Sequence, residues 1–168
     1  QAIPNARKQV VLNSVYKNNV ILLNETTDDR QVALFYSALD VYVHASKIGE
    51  GFGMTLAEAG LFGKPVVVNS TPHRDNAQLE VIDHLKTGLI ANSPQTFARA
   101  VAYLYHNPDV KVKMGQQARA KITTEYSPNH ITRVLEKLFV TKLQSKGVAV
   151  DPETASYCSK IEFSPTVA

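Results

Sequence analysis

Val41-Tyr42-Val43-His44, followed by Ser46-Lys47-Ile48-Gly49-Glu50-Gly51-Phe52-Gly53 and then Met54-Thr55-Leu56-Ala57-Glu58-Ala59, is the stretch that decides the fold. A β-branched and aromatic run passes through a glycine-rich acidic loop into helix-forming residues. That order reads as strand, loop, helix. In open α/β sheets the loop after a strand lies at the carboxyl edge, where ligands bind. Gly49, Gly51 and Gly53 let backbone come close to a ligand, and the N–H groups of Gly53, Met54 and Thr55 open the helix toward a phosphate oxygen. Glu50 precedes the helix on what reads as a mobile loop, free to turn toward that ligand. Glu58 stands about one turn inside the helix, where a carboxylate accepts from the vicinal hydroxyls of a ribose or hexose. Two plainer readings stay open: Glu58 also complements a helix dipole, and the glycines also suit a tight turn.

Working outward, four short apolar runs stand at Val20–Leu23, Val41–His44, Val66–Asn69 and Gly88–Ala91. They are continuous rather than alternating, as in strands covered on both faces. Helical segments separate the first three. Asp28 or Asp29 caps a helix whose stripe is Val32, Phe35, Tyr36 and Leu39, closed by Asp40. Met54–Phe62 ends at Gly63 with Pro65 beyond, and Gly63 reads as a C-cap only. Ser93-Pro94 opens a third helix with Phe97, Val101 and Leu104 inward, broken at Asn107-Pro108. Helices over Val110–Thr124 and Pro128–Leu143 follow. The expected fold is a Rossmann-like open parallel sheet with helices on both faces, its first strand unit missing. An opening helix over Ala6–Tyr16 feeds the Val20 run. Residues 1–143 form the domain, incomplete at its N-terminus, and residues 144–168 form an irregular tail.

The chain has 168 residues, 44% hydrophobic and 20% charged, which suits one globular domain and excludes disorder as the main state. A net charge of +3 suits an anionic ligand but does not argue for nucleic acid. Lys111 and Lys113 read as a solvated helix face. Cys158 is the one cysteine, so no intrachain disulfide forms, and without a partner at ligand spacing it gives no metal site. No segment has the apolar length of a membrane span or a signal-peptide pattern, so the expected location is cytoplasmic. No Gly-x-Gly-x-x-Gly follows a strand, which removes support for an oxidoreductase.

Glu50 and Glu58 carry the spacing of the Glu-x7-Glu motif. In register with it stand Tyr36-Ser37-Ala38-Leu39-Asp40-Val41-Tyr42-Val43 before, Gly63-Lys64-Pro65-Val66-Val67-Val68 after, and Lys86-Thr87-Gly88-Leu89-Ile90 further on. Together these resemble the C-terminal, donor-binding half of retaining GT-B glycosyltransferases, family 4 in particular, over about Ala6 to Leu138. The resemblance implies a nucleoside-diphosphate sugar as donor and a role in carbohydrate biosynthesis. It implies that Glu50, at the catalytic centre, bonds donor-sugar hydroxyls and that amides from Gly51, Phe52, Gly53, Met54 and Thr55 meet the sugar or diphosphate. It implies that Glu58 bonds the ribose and that the base sits near Asn24 to Thr26, with Asn24 and Glu25 as candidates. No cofactor and no tightly bound metal are implied.

Three departures from the family pattern stand out. The basic pair that neutralises the diphosphate is absent, and Lys47 is a partial substitute at most. His44 stands where a small or apolar residue is more usual; it either faces the cleft or, on the plainer reading, is a satisfied, buried histidine. His73-Arg74-Asp75-Asn76 and Gln78 replace a glycine-rich loop, with Glu80 at the start of a further helix. The N-terminal Rossmann domain, which would supply the acceptor site and any peripheral membrane contact, is missing, so this chain alone is expected to be inactive. The alternatives are a non-catalytic sugar-nucleotide-binding module and a GT-B-type sugar-nucleotide epimerase.

Overall fold

The computed structural model describes residues 9, 10 and 13–161. The chain divides into two compact units, Gln1–Ala38 and Leu39–Ala168.

In the first unit a 3-10 turn, Lys17–Asn19, leads through an extended stretch to α1 (Asp29–Ala38). Asp28 is the cap: its Oδ1 accepts from the Gln31 N–H at 2.9 Å. Of the expected stripe Tyr36 is buried and its ring meets Phe35 edge-on at 5.2 Å between centroids. Val20–Leu23 is not a strand. The run is extended and exposed, with Ile21 at 84%, because a strand exists only through a ladder and none among the described residues pairs with it. Of the expected helix over Ala6–Tyr16, Gln9 and Val10 are helical, residues 13–16 are turn and bend instead of helix, and the rest lie outside the described residues.

The second unit contains, in chain order, β1 (Tyr42–His44), β2 (Gly49–Glu50), α2 (Met54–Leu61), β3 (Val66–Val68), β4 (Asp75–Asn76), α3 (Gln78–Val81), β5 (Gly88–Ile90), α4 (Pro94–His106), α5 (Pro108–Glu125), α6 (Pro128–Ser145) and α7 (Pro152–Ser159). The main sheet runs β1-β3-β5, all parallel, with Val67 opposite Val43 and Leu89. Successive side chains of a strand point to opposite faces. Val66, Val67 and Val68 are all fully buried, so the central strand is covered on both sides, as its unbroken apolar run requires. On one side Val67 packs with Leu89, Ala91, Leu104 and Met114 from the sheet, α4 and α5. α2 lies against β1 and β3. A Rossmann-like parallel sheet with helices is thus the fold that the apolar runs imply, with two further short strands, β2 and β4, that they do not.

Helix ends follow local chemistry. Ser93 and Thr96 form a reciprocal capping box at α4, with Pro94 in the first turn. α2 closes in a Schellman pattern: the Lys64 N–H reaches Ala59 O at 2.9 Å and the Gly63 N–H reaches Gly60 O at 2.8 Å. Lys111 is not simply a solvated residue; its Nζ bonds Asp40 Oδ1 at 2.6 Å and holds that carboxyl below the usual range. The expected irregular tail contains α7, whose start is capped by Asp151 accepting from the Thr154 N–H at 2.9 Å. The eight-residue helix is too short to show a period, although Asp151-Pro152 is itself a start signal. It packs on α6 and buries Cys158 to 2% exposure.

α5 crosses α2 where Gly115 meets the Gly63 carbonyl, and a Cβ on Gly115 would stand 2.0 Å from that oxygen. Gly115→Ala is therefore expected to lose about 1–3 kcal/mol by forcing the helices apart. Denaturant melts should show the loss, while Lys113→Ala on the exposed side of α5 should change stability by less than about 0.5 kcal/mol. Leu104→Ala, at a fully buried position, should cost about 2–5 kcal/mol.

Candidate functional site

β1 and β3 end side by side, and their following loops are stitched together at once. The Ser46 N–H donates to Asn69 Oδ1 at 2.9 Å, and Asn69 Nδ2 returns a bond to Ser46 O at 2.8 Å. Ser46 Oγ then bonds Gly49 O at 2.8 Å. This brings the acidic segment beside the loop after β3, where β2 and β4 pair in parallel with Gly49 opposite Asp75 and Glu50 opposite Asn76. The Ala77 N–H closes the arrangement onto Glu50 O at 3.1 Å. Glu50 is therefore not on a mobile loop; its backbone belongs to a ladder. Gly49 makes that ladder feasible, with φ of +87° and a position where a Cβ would lie 2.0 Å from Asp75 O.

The run at residues 73–78 is what makes the partner side. Asn76 Oδ1 accepts from the Thr71 N–H at 2.8 Å, and Thr71 Oγ1 donates to Asp75 O at 2.6 Å. Gln78, wholly buried, donates from Nε2 to Asn69 O at 3.0 Å and to Thr71 Oγ1 at 2.9 Å. Asn76 and Gln78 thus act as internal struts, while His73 and Arg74 are exposed. Glu80 lies in the first turn of α3, which begins at Gln78.

Beyond Glu50, Gly51 and Phe52 are exposed, and Gly53 caps α2 from the left-handed region with no side-chain cap bond. Leu56 and Ala57 donate to Gly53 O, whereas the N–H groups of Gly53, Met54 and Thr55 meet no protein acceptor among the described residues. The helix mouth keeps its amides and its positive dipole end available to an anion. Glu58 is in the middle of α2, half-buried, its carbonyl taking the Phe62 N–H at 3.2 Å. Lys47 is exposed. Asn24 and Glu25 lie in the first unit, exposed, just before α1.

Against this geometry, residues 6–121 match the family model described as Glycosyl transferases group 1. The chain belongs to this family. It is 32% identical over 138 residues to the alpha-1,3/1,6-mannosyltransferase ALG2 of Homo sapiens, covering 81% of this chain and 31% of that protein. It is 31% identical over 110 residues to a trehalose synthase of Pyrococcus horikoshii, covering 65% of this chain and 25% of that protein. The chain thus spans about a third or less of the length of these relatives. Anabaena HepE, solved in complex with UDP and glucose, superposes with a TM-score of 0.70 at 19% identity over 82% of this chain and 36% of that one. The C-terminal domain of LpcC, a group 1 glycosyl transferase from Francisella tularensis, gives 0.63 at 24% identity over 74% of this chain and 62% of that one. The Rossmann-like sheet is accordingly the domain fold of GT-B glycosyltransferases.

Two side-chain contacts in this chain were beyond sequence reasoning. His44, with the cleft-facing and the buried reading both open, presents Nε2 to Glu50 Oε1 at 2.6 Å, and both side chains are partly exposed. Tyr126, at the end of α5, sets its ring edge-on to Phe52 at 5.5 Å and donates from its hydroxyl to Glu80 O at 3.1 Å. The first left a signal, a polar residue closing an apolar strand; the second left none, being far off in sequence. Among the described residues no group of three or more His, Cys, Asp or Glu is placed to hold a metal.

Burial, with the charges of Glu125, Glu80 and Asp83 adding to it, pushes the Tyr126 phenol from 10.0 up to about 12. The neutral form is favoured in the fold, so unfolded chains ionise first as pH rises. Stability is therefore expected to hold below pH about 10 and to fall between about 10 and about 12. Tyr126→Phe should flatten that alkaline decline relative to the parent in melts run across the same pH series.

Proposed function

We propose that this chain is the donor half of a retaining glycosyltransferase that moves a glycosyl group from a nucleoside-diphosphate sugar to an acceptor. The observation that carries the proposal is the fixed placement of the Glu50 backbone on the β2–β4 ladder, followed closely by the amides of Gly53, Met54 and Thr55, which meet no acceptor among the described residues. A carboxylate carried on a fixed backbone beside an open helix mouth suits a ligand with hydroxyls at one end and phosphates at the other. UDP and glucose in the HepE complex and the mannosyltransferase and trehalose synthase relatives support the donor class.

In this reading Glu50 bonds the sugar hydroxyls, and Gly51 to Thr55 meet the sugar and diphosphate. Lys47, exposed at the same edge, lends positive charge to the diphosphate. Glu58 bonds the ribose. As the bond to the leaving diphosphate stretches, the sugar gains oxocarbenium character and negative charge grows on the diphosphate. Amides already aimed at that charge lower the barrier without reorganising. Glu50 positions the sugar rather than attacking it. The acceptor site belongs to an N-terminal domain, so the chain by itself binds donor without transferring. No metal is required, and EDTA is expected to leave turnover unchanged.

In a full-length protein, Glu50→Ala is expected to cut transfer at least tenfold, about 1.4 kcal/mol of transition-state binding. Near-normal turnover would reject the role. Glu58→Ala is expected mainly to raise the donor KM. Release of nucleoside diphosphate across a panel of nucleotide sugars tests the transferase itself: no release with any of them would favour a binding module.

A further inference from the structure

We propose that His44 is a positioning residue for Glu50, holding its carboxylate in the one orientation that leaves an oxygen for the donor sugar. The inference rests on the donor-site reading of Glu50 and adds a residue to it. His44 is the last residue of β1, opposite Val68 in β3, and so takes its place from the rigid centre of the sheet. Its Nε2 lies 2.6 Å from Glu50 Oε1. The ring is held on its other side by Tyr42, which shares its face of β1 and stacks on it at 6.3 Å between centroids and 23° between planes. A carboxylate accepts only, so the bond requires the proton on Nε2.

The ladder with β4 fixes only the Glu50 backbone. A glutamate side chain still has three torsions to order, and a ligand that must order them loses affinity. The bond to His44 removes that freedom before the donor arrives. It occupies Oε1 and leaves Oε2 for a sugar hydroxyl. Side-chain exposures of 21% and 25% place the pair at the rim of the site, reachable by a ligand yet partly shielded from water.

The test uses full-length protein and the donor found by the nucleotide-sugar panel. Gln and Met are close in shape, and only Gln can return an N–H to Glu50. His44→Met is expected to lower kcat/KM for donor about tenfold, with His44→Gln recovering most of the loss. Added to Glu50→Ala, His44→Met is expected to cost little more, because the group it orients has gone. Equal loss in the Gln and Met variants overturns the proposal, as does an undiminished effect of His44→Met in the Glu50→Ala background. If Glu50→Ala lowers transfer but His44→Met does not, the positioning role alone fails. If Glu50→Ala itself is silent, the donor-site reading fails, and this inference with it. Thermal melts accompany each variant; should Met prevent folding, His44→Leu, apolar and without an N–H to offer Glu50, takes its place in every comparison.

Discussion

A short parallel pairing sets the geometry on which the acidic site depends. Gly49 and Glu50 lie along Asp75 and Asn76, and the contact is so close that the Gly49 position has no room for a Cβ. Two residues of ladder hold little by themselves. Around them Ser46 and Asn69 exchange bonds, Thr71 ties down Asp75 and Asn76, and Gln78 reaches back to Asn69 and Thr71. Each bond contributes about 0.5–1.5 kcal/mol net. As a connected set in a partly buried place, they make one rigid body of two loops. The open amides at the mouth of α2 matter because the residue ahead of them is held still.

That rigidity is borrowed from the sheet. β3 is buried on both faces, and α5 is pressed against α2 through the contact between Gly115 and Gly63. Shifting α5 would disturb the closing turn of α2 and the Tyr126 ring against Phe52. The site is thus coupled to the core by packing at one end and by hydrogen bonds at the other.

Features set by local pattern were legible in the sequence. The Val41, Val66 and Gly88 runs became the parallel strands because each is apolar throughout and follows a recognisable turn or cap. α2, α4, α5 and α6 began and ended near the signals that marked them. Features set by a partner distant along the chain were not. Val20–Leu23 has the composition of a strand but no ladder among the described residues. β4 is two residues of polar character, whose structure exists only because Gly49 and Glu50 lie alongside. The same pairing turned an apparently mobile loop into a fixed one. Of the candidate site, Glu50 and the helix mouth were readable from spacing; the hydrogen bond from His44 and the ring of Tyr126 required three dimensions.

α7 has a consequence of another kind. It shields Cys158, the chain's one thiol, at 2% exposure against α6. A reagent that modifies thiols reaches that sulfur only while α7 is lifted away. Where labelling outpaces reclosing, the labelling rate becomes a clock for that local opening, read without adding any probe. Because the site at the carboxyl edge of the sheet contains no cysteine, the clock runs without chemical damage to it.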